Sequence, residues 1–76
     1  MWRTVIVRKG EKITVKNSWM VLYGDNIESH VPIEDIYSVV IDNRAAYISV
    51  QSVTTLAQAV AAVYLCDEKH IPTAVN

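Results

Sequence analysis

Little in this sequence could brace a fold covalently. Its one cysteine, Cys66, has no partner in the chain and cannot close an internal disulfide. The two glycines, Gly10 and Gly24, are far apart, and no glycine-rich phosphate loop can be built from them. No apolar run approaches the roughly 20 residues of a bilayer span, so a transmembrane helix is excluded. Met1-Trp2-Arg3-Thr4 leads straight into a strand pattern, with nothing resembling a signal peptide. A single thiol and no leader imply a cytoplasmic, reduced setting with no membrane partner. The net charge of −1 argues neither for nor against nucleic acid.

What remains is a 76-residue chain that is 51% apolar. A domain of this size buries only roughly 60% of its unfolded surface, so its core is marginal. With no disulfide available, a second copy of the chain is the expected support. Charge is unevenly spread. Residues 1–16 hold Arg3, Arg8, Lys9, Lys12 and Lys16 against Glu11, a balance of +4. Residues 17–76 hold Arg44 and Lys69 against seven acids, a balance of −5. Such asymmetry suits an oriented field, although lysines on the wet face of a first hairpin would produce it equally.

Taken in order, Thr4–Arg8 is a β-branched strand, and Glu11–Lys16 alternates with Ile13 and Val15 on one face. Gly10 between them suggests a hairpin with positive φ. Asn17-Ser18 turns the chain into a strand at Trp19–Tyr23, and Gly24-Asp25-Asn26 into another at Ile27–Val31. Four strands joined by tight turns read as an antiparallel meander. Pro32 ends the fourth or sits at a sheet edge. Pro32–Ile36 suits one helical turn with Ile33 and Ile36 inward, and Tyr37–Ile41 a fifth, interior strand. After a brief strand at Ala46–Ser49, Val50, Val53, Leu56, Ala57 and Val60 recur at helical spacing, with Ser49 as N-cap and Gln51, Ser52, Thr55 and Gln58 on the other side. Val63–Cys66 reads as a buried central strand. The expected fold is α+β, mainly β: an antiparallel meander in two small sheets, closed by a βαβ unit with one helix.

Candidate chemistry clusters near the C-terminus. Cys66 and His70 suggest a nucleophile and base, yet nothing in the sequence orients the histidine. Cys66, His30 and His70 fall short of the four ligands of a structural zinc, and Asp67-Glu68, Glu34-Asp35 and Asp25-Asn26 read as solvated turns. Trp2, Trp19, Tyr23, Tyr37, Tyr47 and Tyr64 are scattered over several strands, which favours core or interface packing over base stacking. Lys12 and Lys16 share one strand face and are the candidate phosphate contacts. No residues are assigned as catalytic or metal-binding, and no dimer surface can be named.

Several segments together resemble one family. They are Trp2-Arg3-Thr4-Val5, Lys16-Asn17 before Met20-Val21-Leu22, and Pro32–Ile36 before Val39-Val40-Ile41. The run Tyr64-Leu65-Cys66-Asp67-Glu68-Lys69-His70-Ile71-Pro72-Thr73 completes the set. In order and over nearly the whole chain, these are similar to the CRISPR-associated endonuclease and integrase of spacer acquisition, type II-like. The resemblance implies that residues 1–76 are the N-terminal β-strand domain of a longer protein whose C-terminal helical catalytic domain is absent here. It implies a dimerisation and scaffold role in a metal-dependent enzyme of CRISPR adaptation and antiviral defence. That parent would use magnesium or manganese, double-stranded DNA, and a second, smaller CRISPR adaptation protein. The family's glutamate, histidine and aspartate metal ligands belong to the helical domain, so Asp67, Glu68 and His70 inherit no role, and this fragment alone is expected to be no enzyme. One departure is Val60-Ala61-Ala62, where a glycine would be expected to end the helix. A free-standing β-domain that binds a protein or nucleic acid is the alternative.

Overall fold

The structure, a computed structural model, describes residues 3–24, 26–60 and 62–75. Trp2, one of the scattered aromatics, Asp25 in the third turn and Ala61 after the helical pattern lie outside the described residues.

β1 (Arg3–Val7) and β2 (Lys12–Lys16) are the two expected runs, but they do not form a hairpin. β1 pairs parallel with β5 (Ile36–Ile41), and β2 pairs antiparallel with β3 (Trp19–Tyr23) in the other sheet. Gly10 has no positive φ. A Cβ there would lie 3.2 Å from that of Ala45, so this glycine permits a close approach rather than a tight turn. The link between β1 and β2 is thus a corner between sheets.

The true hairpin lies one turn later. Asn17 and Ser18 both have positive φ, 51° and 65°, the twist-matched geometry of a two-residue loop. β4 (Glu28–Pro32) continues the meander against β3, with Pro32 on an edge strand as expected. Ile27 stays outside that strand and is exposed. A 3-10 turn at Ile33–Asp35 leads into β5, with Ile36 buried and Ile33 packed against the core.

β6 (Tyr47–Ile48) adds parallel to β2, giving a sheet of order β4-β3-β2-β6. α1 (Val50–Ala59) follows, then β7 (Ala62–Cys66) and β8 (Pro72–Ala74), which complete a sheet of order β1-β5-β7-β8. The expected βαβ unit from β6 through α1 to β7 does not exist, because its two strands lie in different sheets. The parallel crossover instead joins β5 to β7, with β6 and α1 in the connection. Among the described residues, the α+β class, the two small sheets and the single helix are as expected.

Ser49 caps α1 by accepting from the Ser52 N–H at 3.1 Å. Leu56 and Val60 face the core, but Val50 is exposed and Ser52 is buried, the reverse of the sequence expectation for both. Ser52 is buried because its Oγ accepts from the Val15 N–H at 3.3 Å and from the Ser49 hydroxyl at 3.0 Å. α1 lies against both β2 and β7, so one core of Val7, Ile13, Met20, Val39, Leu56 and Val63 serves both sheets. β7 is interior to its sheet, yet only Val63 in it is buried, and the most enclosed strand is β5. Among the described residues, no helix is long and apolar enough to cross a membrane.

Candidate nucleic-acid interface

The expected chemical cluster at the end of β7 resolves into a structural turn. Asp67 Oδ1 accepts from the backbone N–H of Lys69 at 2.8 Å and of Ile71 at 3.0 Å, folding the chain back into β8. Those two bonds, with Ile71 the larger contributor, hold its carboxyl below the ordinary range. His70 takes a positive φ of 63° in this turn and places Nδ1 2.6 Å from Asp42 Oδ1. The Cys66 thiol has its pKa raised, first by desolvation and then by the charge of Asp42 and hydrogen bonding to it. A carboxylate therefore orients the histidine, while desolvation and that same carboxylate disfavour the thiolate, the opposite of an activated nucleophile.

Glu68 meets Arg44 at 3.3 Å in an exposed pair, and Arg3 approaches Asp35 at 3.8 Å. His30 lies on β4 in the other sheet, 2.6 Å from Glu28, so the three zinc-type ligands Cys66, His70 and His30 do not converge. No group of three or more such ligands is close enough to hold a metal ion among the described residues. Beside the turn is a cleft of about 540 Å³ between the sheets, lined by Ile41, Ile48, Tyr47, Leu65 and Thr73 and rimmed by Arg44 and Asp67. Nothing in it converges on a reacting atom.

Lys12 and Lys16 have a different setting. Strand alternation sends Ile13 and Val15 to the core and Lys12, Thr14 and Lys16 to the opposite face. The hairpin register puts Lys16 opposite Trp19, Thr14 opposite Val21, and Lys12 opposite Tyr23. β6 places Tyr47 beside Lys12 on the other flank, and β4 brings His30 beside Val21. Trp19 is 43% exposed and Tyr47 62%. The Trp19 ring meets His30 edge-on, with centroids 6.1 Å apart. Three of the aromatics therefore share a face with the lysines, and none belongs to the core. Tyr64 lies on the β1-β5-β7-β8 sheet, and Tyr37 on β5. The signal was present in the sequence. A two-residue loop at Asn17-Ser18 aligns residues 12, 14 and 16 with 23, 21 and 19, once β2 is paired with β3 rather than β1.

No family profile matches the chain. A CRISPR-associated endonuclease Cas1 from Neisseria meningitidis serogroup C (strain 8013) is 33% identical over 72 residues, 93% of this chain and 23% of that protein. Among solved structures, a CAS1 protein from Thermotoga maritima superposes with a TM-score of 0.78 at 10% identity, over 95% of this chain and 24% of that one. A partial Cas6-RT-Cas1–Cas2 complex gives 0.82 at 14% identity, over 100% and 24%. A TtCas1–DNA complex gives 0.73 at 11%, over 92% and 25%. The chain spans about a quarter of the length of the relatives it matches. The resemblance carried by the sequence segments is thus borne out, in sequence by one Cas1 and in fold by several.

Proposed function

We propose that this chain is the N-terminal β-domain of a longer Cas1-type endonuclease and integrase, and acts in CRISPR adaptation as its dimerisation and scaffold unit. The observation that carries this is one-third identity to a Cas1 across nearly the whole chain, on a two-sheet fold that Cas1 structures share. In this reading the longer protein works in the cytoplasm with DNA and a Cas2-like protein as partners, and relatives solved with DNA and with Cas2 support those two partners.

A magnesium or manganese ion would supply Lewis-acid activation of the attacking 3′-hydroxyl in such an integrase. The residues of this chain do not fit that ion. Asp67 is committed to backbone N–H groups, and Asp42 to a thiol and an imidazole. The described residues of this domain therefore hold no such ion, and the chemistry belongs to the rest of the longer protein.

What the domain supplies is a surface for pairing. On the outer face of the β1-β5-β7-β8 sheet, Ile6, Val40, Tyr64 and Ala74 align in register, and Ile6 is 49% exposed. A two-fold contact would cover this apolar row with its own copy. The test is integration of a short labelled duplex into a CRISPR array by the longer protein. Ile6→Glu with Tyr64→Glu is expected to yield monomers in sedimentation equilibrium and to lose integration. Full integration by a monomeric variant would overturn the scaffold role, and no integration by the intact protein would overturn the whole reading.

A further inference from the structure

We propose that the outer face of the β4-β3-β2-β6 sheet is a docking surface for single-stranded DNA, with phosphates on Lys12 and Lys16 and bases stacked on Trp19, Tyr23 and Tyr47. The inference rests on the reading above only for DNA rather than RNA; the geometry carries the rest. Lysines four residues apart on a strand are about 13–14 Å apart, and neighbouring strands are about 4.8 Å apart. Each lysine therefore stands directly beside an aromatic ring: Lys16 beside Trp19, and Lys12 between Tyr23 and Tyr47. The basic–aromatic unit occurs twice along the face.

A single strand offers what this arrangement needs, because every nucleotide carries both a phosphate and an accessible base face. A duplex hides its base faces, and would leave three aromatic side chains facing phosphates and sugars. Charge agrees. Among the described residues neither Lys12 nor Lys16 has an ion pair, and Glu28, the acid in register with Tyr23, is bound to His30 at 2.6 Å. Lys12, Thr14, Lys16 and Tyr23 line an open depression of about 420 Å³. Val21 is only 3% exposed although it lies outside the core cluster, so the side chains around it lie over the sheet and form a floor. Two phosphate contacts make the binding weak, with a logarithmic salt slope of about −1.4.

The test is an isotope-edited NMR titration of the chain with a short oligothymidylate, an oligouridylate, a blunt duplex and an oligoglutamate. Oligothymidylate is expected to shift Lys12, Thr14, Lys16, Tyr23 and Tyr47 amides and the Trp19 indole N–H, ahead of the other three ligands. Trp19→Ala, or Tyr47→Ala should the first fold poorly, is expected to weaken binding at least about five-fold. Lys12→Glu with Lys16→Glu is expected to abolish it. Shifts centred on another surface, equal binding of duplex or oligoglutamate, preference for oligouridylate, or no binding would each overturn the proposal. Integration by the longer protein alongside a silent titration overturns this inference alone. Oligothymidylate binding without integration overturns only the function proposed above.

Discussion

The free face of the β1-β5-β7-β8 sheet carries Ile6, Val40, Tyr64 and Ala74, while that of the β4-β3-β2-β6 sheet carries Lys12, Lys16, Trp19, Tyr23 and His30. Both sheets rest on the same core, so the difference lies outside it. Its origin is strand direction. β1, β5 and β7 are parallel, and parallel strands are built to be covered on both faces, so their sequences run apolar almost without interruption. β2, β3 and β4 are antiparallel, and such strands can keep one face wet, as the alternation of Lys12, Thr14 and Lys16 with Ile13 and Val15 along β2 shows. A parallel sheet with one apolar face still open calls for a protein partner. An antiparallel sheet with charge and aromatic rings on its open face calls for a polar ligand with flat groups.

The largest loss is expected at the core the two sheets share. Leu56→Ala is expected to cost about 2–5 kcal/mol and to unfold both sheets in one transition. Circular dichroism and Trp19 fluorescence in a Trp2→Phe background should coincide in urea, and separate transitions would show the sheets to be independent. A somewhat smaller loss is expected on the apolar face. Ile6→Glu with Tyr64→Glu should remove the dependence of melting temperature on concentration. The proposed dimer would contribute about 3 kcal/mol when the protein is 100-fold above its dissociation constant. Lys12→Glu with Lys16→Glu should leave that dependence intact, and if it does not, the two faces are not separate in function.

Ser52→Ala acts on one sheet only, since Ser52 anchors the helix by a hydrogen bond to the antiparallel sheet. The Val15 N–H would lose its acceptor, at a cost of about 1–3 kcal/mol in denaturant melts. An unchanged melt would mean that the bond contributes nothing net.

The smallest effect is at the β7–β8 turn. The depressed Asp67 carboxyl contributes stability that is fully present above the usual carboxylate value of about 3.9 and is lost as pH falls through its lower folded value. Asp67→Asn retains an acceptor oxygen but not the charge, so thermal stability should fall less steeply on acidification. An acid slope identical to that of the parent chain would refute the assignment.

Features set by near neighbours were legible in the sequence. Alternation within five residues placed β2, a short apolar run between turns placed β3, Asn17-Ser18 marked their hairpin, Ser49 the helix cap, and Pro32 a sheet edge. Each depends on forces acting across a few residues: side-chain period, backbone sterics, a missing N–H. The sequence also pointed to the Lys12 and Lys16 face, though it scattered the aromatics that share it. Only the tertiary structure decided that β1 leaves β2 and pairs with β5, where Thr4 and Ser38 bond at 2.8 Å across 34 positions. It alone buried Ser52, exposed Val50, and gathered Trp19, Tyr23 and Tyr47 around the lysines. Strand pairing and helix orientation are chosen by which apolar faces cover one another, and that is a property of the packed core, not of any local run of residues.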